Sequence, residues 1–217
     1  MSSCLEDLFK NVIELNESRA IDAAKHCLES GEDPLKVLDQ MLKALRVAGE
    51  KYEKGEFFIP ELIAIHEIFK KVSELVRARI REVRRGQEHI GKLVIGVVQG
   101  DMHDIGKNIF ALVAEAHGFE VVDLGVDVSP EKFVDAIQRY RPDIVALSGT
   151  LPQSVEAMKR TIEAIKSAGL RNSVKILIGG RVSQDECRLL EADACTNDAI
   201  NGVRIALQLV KSTKPLY

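Results

Sequence analysis

The spacing of apolar residues changes once along this chain, near residue 90, and that change limits the folds open to it. Before it, apolar side chains recur at helical spacing in four stretches. These are Leu5, Leu8, Phe9, Val12 and Ile13; Ile21, Ala24 and Leu28; Leu35, Leu38, Leu42, Leu45 and Tyr52; and Leu62, Ile63, Phe69, Val72 and Val76. Gly31 stops the second stretch, Asp33-Pro34 supplies the cap and first turn of the third, which runs to Gly55, and Pro60 opens the fourth. Four amphipathic helices with short connections suggest a bundle. The segment RARIREVRRGQEHIGK, Arg77 to Lys92, loses apolar content and is rich in arginine. The domain junction is expected there as a solvated hinge, giving a helical domain at 1–88 and a second domain at 89–217.

Beyond the junction, short apolar runs alternate with helical stretches, the pattern of a doubly wound parallel sheet. Strands are expected at Leu93–Val98, Val121–Leu124, Ile144–Ser148 and Val174–Ile178, with a weaker fifth near Ala194–Thr196. Helices are expected to begin near Ile105, Ser129, Ser154 and Ser183, and a last one to run from about Ala199 to Val210. The fold class is therefore α/β: an N-terminal four-helix bundle followed by a Rossmann-like or flavodoxin-like domain.

Composition removes several functions. With 217 residues, 46% of them hydrophobic, the chain can bury a full core. A formal charge of -3, no Trp and three Tyr argue against nucleic-acid binding. No apolar run approaches bilayer length, and MSSCLEDLFK is neither a basic leader nor a cleavage site, so no membrane association and a cytoplasmic location are expected. Cys4, Cys27, Cys187 and Cys195 form no C-x-x-C pair, so buried or idle thiols are expected instead of a zinc site or disulfides.

In such sheets ligands bind outside the carboxyl ends of the strands. The first strand-to-helix turn reads Gly100-Asp101-Met102-His103-Asp104-Ile105-Gly106-Lys107-Asn108, which is neither G-x-G-x-x-G nor a phosphate-binding P-loop. It offers an imidazole at the rim with a carboxylate two residues earlier. A metal-bound histidine commonly gives its other N–H to a carboxylate, and Asp101 is placed for that role. His26, His66, His89 and His117 are dispersed, so no protein-only metal cluster is completed. A single ligand suits a metal already held by a macrocycle. Taken alone, the D-x-H favours an ordinary loop histidine with Asp104 capping the next helix.

The wider pattern changes that balance. Asp101, His103 and Gly106 in GDMHDIGKN resemble the D-x-H-x-x-G signature of methyl-carrying cobalamin proteins. Ser148 follows with forty-one residues between it and Gly106, and Gly179-Gly180 closes KILIGG, as in that family. The resemblance implies that His103 replaces the corrinoid's own lower base on cobalt while the nucleotide tail enters a slot in the domain. Gly100, Asp101, Met102, Asp104, Ile105, Gly106, Ser148, Thr150, Ser154, Gly179 and Gly180 are then the expected contacts of the cofactor. Glycines, Gly149 included, would let backbone approach the tail. Ser148 would bond the tail, and Ser154 would complete a His103–Asp101–Ser154 relay coupling a proton to demethylation of the cobalt. Pro152 stands where the family often has Thr, with Thr150 as a substitute, and Arg181 follows the glycine pair, read slightly in favour of solvent over the nucleotide phosphate.

The same resemblance covers the helical half, where GEFFIPEL from Gly55 to Leu62 looks like a motif of the family's capping bundle. As a cap its apolar residues would cover the upper corrin face; individually, Phe57 and Phe58 read better as core aromatics of an interhelical turn. The implied function is carriage of a methyl group on cobalt by a carrier subunit. A substrate-specific methyltransferase would load it from a methylated amine, alcohol or aryl ether. A second would pass the methyl to tetrahydrofolate or a thiol such as coenzyme M, and a reductive activation protein is a further expected partner. The alternative is a cobalamin-dependent sensor, for which no DNA-binding module is evident; a radical-mutase subunit would not need the bundle.

Overall fold

The computed structural model describes residues 3–213, and the side chains of 3–211. The chain divides into two compact units between Gly86 and Gln87.

The first unit holds four helices: α1 (Ser3–Ile13), α2 (Glu17–Glu29), α3 (Pro34–Glu53) and α4 (Ile59–Val83). Asn16 accepts from Arg19 N–H at the start of α2, and Asp33 accepts from Leu35 N–H at 2.9 Å at the start of α3, so polar side chains satisfy otherwise orphaned donors. The core is built from Leu5, Leu8 and Val12, Ala20 and Ala24, Val37, Met41, Ala44 and Ala48, and Ile65, Phe69, Val72 and Val76. This corrects the face expected for α3: its buried stripe is shifted toward Val37 and Met41, and Tyr52 is exposed. Phe58 is no core aromatic either. It precedes the first turn of α4, is 64% exposed, and donates its N–H to Glu61 at 2.8 Å.

Two expectations fail here for the same physical reason, that tertiary packing decides what local composition leaves open. The Arg-rich segment holds the boundary between the units, but from Arg77 to Val83 it is helix and not hinge, because Val76 and Ile80 continue the buried stripe of α4. The cysteines are not idle thiols: Cys4 in α1 bonds to Cys27 in α2, with Cα atoms 5.6 Å apart across the helical hairpin.

The second unit carries β1 (Gly91–Val97), α5 (Ile105–Ala116), β2 (Phe119–Asp123), α6 (Pro130–Tyr140), β3 (Ile144–Gly149) and α7 (Ser154–Ser167). After a 3-10 turn at Arg171–Ser173 follow β4 (Lys175–Gly180), α8 (Gln184–Leu189), β5 (Ala194–Thr196) and α9 (Ala199–Thr213). All five strands are parallel, in the order β2-β1-β3-β4-β5. Period-two alternation puts Val94, Val145, Leu147, Ile176 and Ile178 in one core, packed with Phe133 of α6 and with Met158, Ile162 and Ile165 of α7. Helices α5 and α9 pack together, and both contact the sheet, α5 at β1 and α9 at β4. Cys187 and Cys195 form a second disulfide joining α8 to β5, their Cα atoms 6.0 Å apart. No helix among the described residues is long and apolar enough to cross a membrane.

Candidate functional site

Strand order reverses at β1. Its chain continues to β2 on one side, while β3 lies on the other, so a crevice opens at the carboxyl ends of β1 and β3. The turn from Val98 to Asp104 leaves β1 at that point, and the register places Val97 beside Ser148 and Ser148 beside Gly179. The sheet itself therefore gathers three separated motifs at one edge.

Asp101 is the hub. Its Oδ1 accepts the His103 backbone N–H at 3.0 Å and lies 2.6 Å from His103 Nδ1. Its Oδ2 accepts Thr150 N–H at 2.7 Å, Leu151 N–H at 3.2 Å and the Ser154 hydroxyl at 2.8 Å. Burial pushes the carboxyl pKa up, yet the donors from His103, Thr150 and Ser154 together outweigh it and hold Asp101 well below the usual carboxylate range. An ionised Asp101 can only accept, so Nδ1 of His103 carries the proton and donates. In the neutral ring the lone pair then resides on Nε2. The imidazole is 61% exposed although its partner is buried, so the ring is fixed at one nitrogen and accessible at the other.

Among the described residues no group of three or more His, Cys, Asp or Glu side chains gathers to hold a metal. One oriented imidazole instead suits a metal that brings its other ligands. Open space borders the site: a Cβ at Gly106 or at Gly179 would meet nothing within 4 Å, so neither glycine is explained by packing of this chain. Gly149 and Gly180 differ. A Cβ at Gly149 would lie 2.5 Å from Ser154 Cβ, and one at Gly180, whose φ is +129°, would collide with the Gly149 carbonyl oxygen. Those two allow β3, β4 and α7 to approach one another.

Ser148 is buried at the end of β3, and its backbone carbonyl accepts Val98 N–H at 2.9 Å. Met102 is 73% exposed beside His103. Asp104 precedes α5 without capping it; its Oδ2 accepts from Asn108 Nδ2 at 3.0 Å instead. Thr150 serves Asp101 chiefly through its backbone, and Arg181 is exposed. Sequence reasoning missed Leu151 and Asp127, whose carboxylate accepts Gly100 N–H at 2.8 Å and whose N–H donates to the Asp101 carbonyl at 3.1 Å. It also gave no role to Lys107, Asn108 and Asp123, though the first two stand in the quoted motif.

Residues 91–203 match a family model described as a B12 binding domain, and residues 4–77 match a second model of the same description. The chain is 32% identical over 203 residues to trimethylamine corrinoid protein 2 of Methanosarcina acetivorans, covering 91% of this chain and 94% of that one. The solved monomethylamine corrinoid protein of Methanosarcina barkeri superposes with a TM-score of 0.77 at 25% identity, over 93% of this chain and 96% of its own. A cobalamin-binding protein from Desulfitobacterium hafniense DCB-2 is 32% identical with a TM-score of 0.54, over 94% and 98% of the two chains.

Proposed function

This chain belongs to the B12-binding family, and from that premise we propose that it carries a methyl group on the cobalt of a bound corrinoid, with His103 as the lower ligand. The observation that carries the ligand assignment is the Asp101–His103 pair at the switch point, with Nδ1 committed to a buried carboxylate and the other nitrogen accessible. The residues fit the group: one imidazole donor, no rival metal cluster among the described residues, and open space beside Gly106 and Gly179.

When bound, the corrinoid supplies a cobalt centre that accepts and releases a methyl group. The protein orients and tunes. Asp101 fixes the tautomer of His103 so that Nε2 presents its lone pair, and Ser154 holds the second carboxylate oxygen, so the three side chains form one relay. Beside an ionised Asp101, the His103 ring would hold the cobalt through Nε2 while Nδ1–H stays donated to the carboxylate. Met102, Asp104, Ile105 and Gly106 line the ligand turn, while Gly100 and Thr150 hold its ends through Asp127 and Asp101. Ser148, Gly179 and Gly180 form the strand-end rim assigned to the nucleotide tail.

The carrier works with methyltransferases, one loading and one discharging it. Of the methylated amine, alcohol or aryl ether expected as source, the amine is favoured by the names of the relatives. Tetrahydrofolate or a thiol is the acceptor, a reductive activation protein returns oxidised cobalt to use, and the setting is the cytoplasm. The test is reconstitution with cobalamin under reducing conditions, comparing visible spectra of wild type and His103→Ala. The reading expects bound cobalamin in both and altered axial coordination in the variant. Absence of binding by the wild type, or identical coordination in the two, contradicts it.

A further inference from the structure

Lys107 buries a charge beside the ligand turn without belonging to the relay. Its side chain is 3% exposed, and its ammonium reaches Asp123 Oδ2 at 2.5 Å and Asn108 Oδ1 at 2.7 Å. Asn108 in turn donates to Asp104 Oδ2 at 3.0 Å, and Asp104 is the residue after His103. The chain of contacts continues beyond the ion pair, since Asp123 Oδ1 accepts Gly125 N–H at 2.9 Å in the loop between β2 and α6. Asp127, in that same loop, grips the opposite end of the ligand turn through Gly100 and Asp101. The turn is therefore tied at both ends to one neighbouring loop.

Burying an ammonium is costly unless it is well paired, and an apolar residue of similar volume would fill the space as well or better. The charge has a use if its partners must sit in one place. We infer that Lys107 is a positioning residue that sets His103 for coordination, acting through Asn108 and Asp104 and braced by Asp123. The inference rests on the reading of His103 as the cobalt ligand, and deepens it by adding a support independent of the Asp101 relay.

The experiment loads the full chain with methylcobalamin at neutral pH and reads the ratio of His-coordinated to uncoordinated forms from the visible spectrum. Variants are Lys107→Met, Asn108→Ala and Asp193→Asn, with urea unfolding run on each. Asp193 pairs with Arg171 and Lys175 at the amino end of the sheet, so its variant reports loss of an ion pair away from the site. Supporting residues around a metal ligand are typically worth ten- to a hundredfold, so the ratio should fall about tenfold in Lys107→Met. It should fall in the same direction in Asn108→Ala, which cuts the link to Asp104 while retaining the Lys107–Asp123 pair. In Asp193→Asn it should stay at the wild-type value whatever happens to stability. Should Lys107→Met not fold, Asn108→Ala decides alone. An unchanged ratio in Asn108→Ala overturns the inference while leaving the ligand assignment intact. A wild type without His coordination overturns both.

Discussion

Replacing Asp101 by asparagine would leave the His103 ring, two backbone N–H groups and the Ser154 hydroxyl facing an amide in place of a carboxylate. Breaking a buried charged cluster in this way costs about 3 kcal/mol, so Asp101→Asn should lose roughly that much in urea unfolding near neutrality. The pH dependence follows from the sign of the shift. The folded carboxyl titrates below its unfolded value, so its contribution is fully present above about pH 4 and is lost as pH falls through the folded pKa. The wild-type stability curve should therefore drop below about pH 4, and that of Asp101→Asn should be flatter there. At this scale much of the site was legible, because D-x-H and the serines stand in short motifs. Lys107, Asn108 and Asp127 were not. Their partners come from other loops, and a buried lysine at a helix start looks in sequence like any solvated one.

Strand ends carry the second set of tests. Gly180→Ala must push a methyl against the Gly149 carbonyl with a positive φ, and should cost about 2 kcal/mol while separating β4 from β3. Gly179→Ala meets no atom of the chain, so stability should stay within about 0.5 kcal/mol while cobalamin binding weakens. Equal binding loss without any stability difference between them would contradict the distinction. The Cys4–Cys27 bond closes a separation of 23 residues, and reducing it should lower the stability of the bundle by about 3 kcal/mol in the chain-entropy account, read as a shift in unfolding midpoint with and without reductant. Elements themselves were well marked in the sequence, since period and caps are local. The pairing of cysteines and the true buried face of α3 were not, because both depend on which helix lies opposite.

At the scale of the whole molecule, two units with separate cores follow from the change of apolar spacing near residue 90. Among the described residues, the unit from Gln87 onward contains every strand and every residue assigned to the ligand relay. That segment expressed alone should fold and bind cobalamin through His103, whereas a fragment without bound cofactor would show that the helical unit is needed for binding.

The central claim is the bond from His103 to cobalt. It is tested most directly by growing the protein with heavy-nitrogen histidine, loading it with unlabelled cobalamin, reducing the metal to cobalt(II) and recording its electron paramagnetic resonance spectrum. The expected spectrum shows the doublet splitting of a heavy-nitrogen axial ligand from the protein. The triplet of an ordinary nitrogen, supplied by the corrinoid's own base, would contradict it.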